Sequence, residues 1–193
     1  MAQIHEIKPV PQRPSVLILF AHPTIQKSRI NRVLVEAVRH LPGVTFRDLY
    51  EEYPDQMIDV KREQELLRAH DTIVFQHPFY WYSTPAILKE WMDLTLEFGF
   101  AYGEGGNALH GKKWVHAITT GGDEAAYSGT GSNRFTIEEF MRPLEQSAAL
   151  CGMKFLPPFL THSVARIDPK TDAHQLQTNY RKFIQSLQKD SKP

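Results

Sequence analysis

Thr72-Ile73-Val74-Phe75-Gln76-His77-Pro78-Phe79-Tyr80-Trp81-Tyr82-Ser83-Thr84-Pro85 runs from an apolar β-type stretch, through an aromatic turn, to the start of a helix. The helix is predicted from Ile87, Leu88, Trp91, Met92 and Thr95, which share one face. Thr84 is expected as its N-cap and Pro85 as its first residue. A strand that passes directly into an amphipathic helix is half of a βαβ unit, and so predicts a parallel sheet. Large aromatic rings normally enter a core, yet here they crowd the one part of the unit that is neither strand nor helix. Such a turn reads as a platform for a flat, conjugated ligand. The competing reading packs Tyr80 and Trp81 beneath the following helix or into a dimer contact.

The same alternation extends in both directions. Val16-Leu17-Ile18-Leu19-Phe20 is an unbroken apolar run, the pattern of a strand buried on both faces. Ile30, Val33, Leu34, Ala37, Val38 and Leu41 then recur at helical spacing until Pro42-Gly43. Val44-Thr45-Phe46 predicts a second strand. A charged helix is expected from Ile58 to His70, with Leu66 and Leu67 inward. Trp114 to Ile118 predicts a fourth strand. Thr136 and Glu139 fit a capping box for a helix carrying Phe140, Met141, Leu144, Ala148 and Cys151, which Pro143 should kink or delay. Lys154-Phe155, or Phe159 to Thr161, supplies a fifth strand. A last helix from about Asp172 bears Leu176, Tyr180, Phe183, Ile184 and Leu187 on one face. The gly- and serine-rich stretch from Asp123 to Arg134 is long for a connection, which marks it as functional or mobile.

Bulk composition narrows the function classes. With 193 residues, the chain suits a single domain, 1–193, in which residues 1–14 form an N-terminal extension. Lys plus Arg and Asp plus Glu balance at 22 each, so net charge offers no attraction for nucleic acid. The longest apolar run is far short of the roughly 20 residues of a membrane span. A single cysteine, Cys151, allows no internal disulfide and suits a reducing, cytoplasmic compartment. None of the nine histidines shows metal-ligand spacing, so no metal is expected.

Three loops leave the carboxyl ends of strands, where open doubly wound sheets bind ligands. Ala21 to Asn31 places Ser28 as an N-cap, and the free N–H groups of the first helical turn form an anion site, with His22 just off the strand end. A capped turn with a surface histidine explains the same residues. The loop carries neither a G-x-G-x-x-G nor a Walker pattern. The aromatic platform is the second loop. Thr119-Thr120-Gly121-Gly122 is the third, and its glycines let backbone approach a flat ring. Phosphate loop, ring platform and polar edge, in that order, describe a flavin mononucleotide site in a flavodoxin-like sheet.

AHPTIQKSRIN (21–31), QHPFYWYSTPAILKEW (76–91), FGFAYGEGGNALHGKKW (98–114), TTGG (119–122) and CGMKFLPPF (151–159) together resemble the NAD(P)H:quinone oxidoreductase family. DLYEEYPD (48–55) points to the bacterial branch that serves as ancillary subunits of glutathione-gated potassium efflux systems. The resemblance implies a three-layer, flavodoxin-like α/β sandwich on a five-stranded parallel sheet of order 2-1-3-4-5. It implies FMN or FAD as cofactor, and the absence of a match to the adenine-binding extension of the larger reductases favours FMN. It implies NAD(P)H as co-substrate, a quinone or related electrophile as acceptor, a homodimer, and a potassium efflux transporter as partner on the inner face of the membrane. Carried over by position, His22, Ser28, Arg29, Ile30 and Asn31 hold the flavin phosphate and ribityl chain. Pro78, Phe79, Tyr80, Trp81 and Tyr82 flank the ring, and Thr119, Thr120, Gly121 and Gly122 bond its pyrimidine edge. In the larger reductases a tyrosine and a histidine beyond the TTGG loop stabilise reduced flavin. Tyr127 stands at the tyrosine's spacing, and Asn133, which donates a hydrogen bond but cannot change charge, at the histidine's.

Two further expectations concern partners and alternatives. Phe98, Phe100 and Tyr102 are candidate contacts for a transporter, or for a second copy of the chain, in a reading where the flavoprotein regulates and catalysis is secondary. An electron-carrier flavodoxin would show an acidic surface and a Ser/Thr/Gly-rich phosphate loop, and a phospho-receiver would end its first strand in acidic residues; the chain has neither pattern. Replacing both Gly121 and Gly122 with Val is expected to expel flavin from a folded apoprotein. Retained yellow colour after purification would remove that loop from the site.

Overall fold

A computed structural model describes residues 16–189. The expected extension, 1–14, lies outside them. The strands are β1 (Val16–Phe20), β2 (Val44–Asp48), β3 (Thr72–Pro78), β4 (Lys113–Thr119), β5 (Lys154–Phe155) and β6 (Phe159–Thr161). The α-helices are α1 (Ile30–Val38), α2 (Leu49–Glu52), α3 (Val60–Ala69), α4 (Ala86–Thr95), α5 (Ile137–Phe140), α6 (Arg142–Leu150) and α7 (Pro169–Lys189). All strand pairs are parallel, in the order β2-β1-β3-β4-β5, with β6 also beside β4.

Alternation along β1 sorts the sheet into two cores. Leu17 and Leu19, with Ile73, Phe75 and Trp114, pack against residues of α2, α3, α4 and α6. Val16 and Ile18, with Val74 and Val115, meet α1 and α7. Side chains alternate faces with period two, so a run of apolar residues feeds both layers at once.

Several local expectations shift for physical reasons. The fifth strand position is filled by both candidates. Lys154-Phe155 pairs with Lys113-Trp114, and Phe159 to Thr161 pairs with Ala117 to Thr119. Pro157 and Pro158 have no N–H to donate and break the strand between them. The capping box forms, but Pro143 delays a second helix rather than kinking one: α5 ends at Phe140 and α6 starts with proline in its first turn. Helix α4 begins one residue later than expected, with Pro85 at the cap and no side chain capping it, so Thr84 does not serve as the N-cap. Helix α7 starts at Pro169, ahead of Asp172, because proline suits a first helical position. Phe100, a candidate contact residue, is buried against the Arg68 guanidinium, whereas Phe98 is exposed.

Two buried polar networks cross the layers. Glu63 on α3 is fully buried and was not anticipated beside Leu67. Its Oε1 accepts from Arg47 Nη2 and the Tyr53 hydroxyl, each at 2.7 Å, and its Oε2 accepts from Trp91 Nε1 at 2.9 Å. The second network lies between β3 and β4. Trp114 Nε1 donates to His116 Nε2 at 2.7 Å, which leaves the His116 proton on Nδ1 to donate to His77 Nε2 at 3.0 Å. His77 then carries its proton on Nδ1 and donates to the Pro78 carbonyl at 3.0 Å. An indole N–H can only donate, so one end fixes every tautomer in the chain.

Burial pushes the His77 imidazole down to about 4, with the Pro78 hydrogen bond opposing, and pushes His116 down as well. In the unfolded chain a histidine takes up its proton near 6.5. Stability contributed by neutral His77 is therefore complete above about pH 7 and lost as pH falls toward 4, by about 3 kcal/mol at most. Asp48, raised to about 6 by burial, acts in the opposite sense, so an Asp48→Asn background removes that opposing contribution and leaves those of His77, His116 and His22, all lowered by burial. Denaturant unfolding of that variant should show declining stability between pH 7 and 4. A flat profile would mean that the pair is not held neutral.

Candidate functional site

The carboxyl ends of β1, β3 and β4 open onto a cleft of about 530 Å³. That volume falls in the range of roughly 300–1,000 Å³ typical of small-molecule sites. His22, Ser28, Arg29, Ile30 and Asn31 line it from the first loop. Pro78, Phe79 and Tyr80 line it from the second, and Thr119 and Gly121 from the third. Trp81, Tyr82, Thr120, Gly122, Tyr127 and Asn133 are not among the residues that line it. The cleft also takes in Thr24 and Lys27, and Val164 and Ala165 beyond β6, which the sequence reading did not single out. Lys27 sits inside a quoted loop and was legible. Val164 and Ala165 follow a three-residue strand and carry no local signal.

The first loop is built as an anion site. Ser28 has extended backbone (φ −80, ψ 120), and its Oγ accepts from Asn31 N at 3.2 Å, so it caps α1 although the helix is counted from Ile30. The N–H groups of Arg29 and Ile30 find no acceptor among the described residues. His22 is buried, and its Nδ1 accepts from Thr24 N at 3.2 Å. Its proton therefore rests on Nε2, as a further donor. Burial holds the His22 imidazole below its ordinary value, the backbone contact opposing. Asn31 is buried and donates to Thr119 Oγ1 at 3.0 Å, tying the first loop to the end of β4, while its Oδ1 has no partner.

The aromatic turn is strained. Trp81 and Tyr82 both lie in the left-handed region, φ 49 and 62, closed by Ser83 N to Tyr80 O at 3.0 Å. A hairpin-type turn with two positive φ values normally uses Asn or Gly, and each bulkier residue there costs about 1–2 kcal/mol. Trp81 is 93% exposed, so no packing offsets its strain. The N–H groups of Trp81 and Tyr82 are unspent among the described residues. Tyr80 and Tyr82 are also exposed, so the turn does not pack beneath α4. Tyr82 stacks on Phe140 at 4.8 Å, and its hydroxyl donates to Asn133 Oδ1 at 3.3 Å.

The third loop faces this platform because Phe79 N donates to Thr119 O at 2.8 Å, continuing the β3–β4 ladder past its last pair. The N–H groups of Gly121 and Gly122 find no acceptor among the described residues. Behind Gly122, a Cβ would lie 3.1 Å from the Tyr127 ring and 3.6 Å from Asn133 Nδ2. Burial raises the Tyr127 phenol. His162, missed in the sequence, stands 5.7 Å from the Tyr127 ring centroid. Unspent donors on three sides and an orphaned acceptor, Asn31 Oδ1, suit a planar, polar-edged ring carrying a phosphate. Among the described residues no cluster of three His, Cys, Asp or Glu side chains could hold a metal ion.

A family profile for the flavodoxin-like fold matches residues 14–187. The chain is 53% identical over 159 residues to the glutathione-regulated potassium-efflux system ancillary protein KefG of Serratia proteamaculans, covering 82% of this chain and 87% of that protein. Its fold is similar to general stress protein 14 of Treponema denticola, solved in complex with FMN (TM-score 0.84, 37% identity, 91% of this chain and 100% of that one). It is also similar to an NADPH-quinone reductase of P. pentosaceus (TM-score 0.79, 32% identity, 88% and 96%). A chain described as a thermophilic tryptophan halogenase of Streptomycin violaceusniger superposes with a TM-score of 0.84 at 42% identity, over 87% and 97%. The names of these three neighbours differ in activity; what they share with this chain is the fold.

Because the strain at Trp81 is unrelieved by packing, Trp81→Asn should stabilise the apoprotein by about 0.5–1 kcal/mol in denaturant unfolding. A destabilised variant would show that the indole holds the turn in place.

Proposed function

Since the chain belongs to the flavodoxin-like fold family, we propose that its cleft binds FMN and that the protein transfers two electrons from NAD(P)H to quinones or related electrophiles. The observation that carries this reading is the pair of left-handed aromatic residues beside the cleft-lining Tyr80: the N–H groups of Trp81 and Tyr82, like those of Gly121 and Gly122 on the neighbouring loop, find no acceptor among the described residues. Strain of this kind persists where a ligand site needs the geometry. The FMN complex of one neighbour and the quinone-reductase name of another support the ligand and the reaction class.

FMN, when bound, supplies the two-electron redox chemistry. The protein's residues bind and orient it. Ser28, with the N–H groups of Arg29 and Ile30, holds the phosphate at the start of α1, and Lys27 and Arg29 add positive charge at the mouth. His22 contributes its Nε2–H. Asn31 offers its free Oδ1 to the polyol chain. Phe79 to Tyr82 would flank the ring, the Gly121 and Gly122 N–H groups would serve its carbonyl edge, and the exposed Trp81 indole would offer a face for stacking. Tyr127 and Asn133, which back Gly122, would act on the ring through that loop.

A second reading rests on the KefG relatives: a flavin-bearing regulator of a glutathione-regulated potassium efflux transporter, cytoplasmic and peripheral to the membrane, in which catalysis is secondary. Among the described residues no helix is long and apolar enough to cross a membrane. Exposed Phe98, packed edge-on against Tyr102 at 5.9 Å, is available for such a contact or for a homodimer.

The purified protein's absorbance, followed through anaerobic addition of NADPH and then a quinone, separates these readings. Flavin absorbance that bleaches with NADPH and returns with quinone is the expected result. Bound flavin that NADPH cannot reduce would favour the regulator, and a colourless protein that takes up no added FMN would overturn both.

A further inference from the structure

We propose that His162, on the segment after β6, is a positioning residue that holds the Thr119–Gly122 loop in its ligand-binding shape and strengthens the hold on reduced flavin in particular. The inference deepens the FMN reading and rests on it.

The argument starts from one proton. Thr120 Oγ1 lies 2.8 Å from the Gly122 carbonyl, which can only accept, so the hydroxyl proton is committed there. The same oxygen lies 2.9 Å from His162 Nδ1, and with its own proton spent it can only accept in that contact. His162 therefore carries a proton on Nδ1 and donates it to Thr120. The imidazole thus fixes the direction of the hydroxyl, and the hydroxyl fixes the Gly122 carbonyl.

The backbone is stitched in the same place. Thr120 N donates to Thr161 O at 2.9 Å, Val164 N to Thr120 O at 3.1 Å, and Ser163 N to Gly122 O at 2.9 Å. Gly122 O thereby receives two donors, which turn that carbonyl into the protein. The Gly121 and Gly122 N–H groups are left without a protein acceptor. Ser163 lies in the left-handed region, φ 57, a conformation that a serine keeps only where its surroundings impose it, and Val164 and Ala165 then line the cleft. On its other side the His162 ring tilts against Tyr127 at 38°, and Tyr127 in turn backs Gly122.

Reduction adds negative charge to the pyrimidine side of a flavin, and donors preorganised there favour the reduced form over the oxidised one. Loosening the loop should therefore weaken reduced FMN more than oxidised FMN. Two substitutions separate the hydrogen bond from the packing. His162→Phe keeps a ring against Tyr127 but removes the donor, whereas His162→Asn keeps an N–H near the Nδ1 position.

The experiment is fluorescence titration of apoprotein with FMN, together with the two-electron potential of the loaded protein and the unfolding midpoint of each variant. His162→Phe is expected to weaken oxidised FMN about fivefold. It should weaken reduced FMN about tenfold further, a potential about 30 mV more negative. His162→Asn should recover most of both. In a Thr120→Val background, where the imidazole has lost its acceptor, adding His162→Phe should change neither value. Wild-type affinity and potential in a folded His162→Phe protein would overturn the inference, as would equal losses in the Asn and Phe variants or additive losses in the double variant. A wild-type protein that binds no FMN overturns it together with the reading on which it rests.

Discussion

The parallel ladder between β3 and β4 is the constraint from which the site follows. It pairs Thr72 with Lys113 at one end and Pro78 with Thr119 at the other, and Phe79 N to Thr119 O carries it one step further. Two chains held in register to their last residues must turn away at the same height. The aromatic platform and the Thr119–Gly122 loop therefore face each other across a gap set by strand spacing, roughly 5 Å per strand. Asn31 adds the third wall by reaching from α1 to Thr119. A slip of one residue in this pairing would turn every alternating side chain to the opposite layer, so the two cores enforce the register that the site needs.

Two of the buried polar networks are bonded in sequence. Glu63 accepts three hydrogen bonds from Arg47, Tyr53 and Trp91, and so joins β2, α3, α4 and the turn after α2. Burying a carboxylate is unfavourable unless it is paired and fully bonded, and removing one partner from such a pair typically costs about 3–5 kcal/mol. The Trp114–His116–His77 chain is the neutral counterpart. It ends on the Pro78 carbonyl, which also accepts from Tyr80 N at 3.1 Å, at the base of the aromatic turn. A core hydrogen-bond chain thus runs to the segment whose strained shape forms one side of the cleft.

The cleft owes its chemistry to backbone as much as to side chains. On its three loops, the N–H groups of Arg29, Ile30, Trp81, Tyr82, Gly121 and Gly122 find no acceptor among the described residues. Main-chain donors held by two cores need no reorganisation when a ligand arrives, which is what preorganisation requires. The side chains supply discrimination: a neutral His22, an acceptor at Asn31, and rings at Phe79 to Tyr82.

Period-two and helical spacings determined the fold class from the sequence, because a strand buried on both faces and a helix with one apolar stripe have few ways to hide those surfaces. That three loops would meet at one cleft was legible for the same reason: strand order places carboxyl ends together whatever the loops contain. Local detail was legible where one residue's chemistry dominates, as with Ser28, the Thr136–Glu139 capping box, and Pro143 starting α6. What needed the tertiary structure was every feature made by residues far apart in the chain. Glu63 reads as one more charge on a polar helix until Arg47, Tyr53 and Trp91 surround it. His77 and His116 lie 39 positions apart, and His162 and Thr120 lie 42 apart, so no spacing rule joins them. The strain at Trp81 and Tyr82 was equally hidden, since nothing in an aromatic pair asks for positive φ. Sequence patterns record which surfaces must be buried, whereas a hydrogen bond between distant strands exists only once packing has fixed both ends.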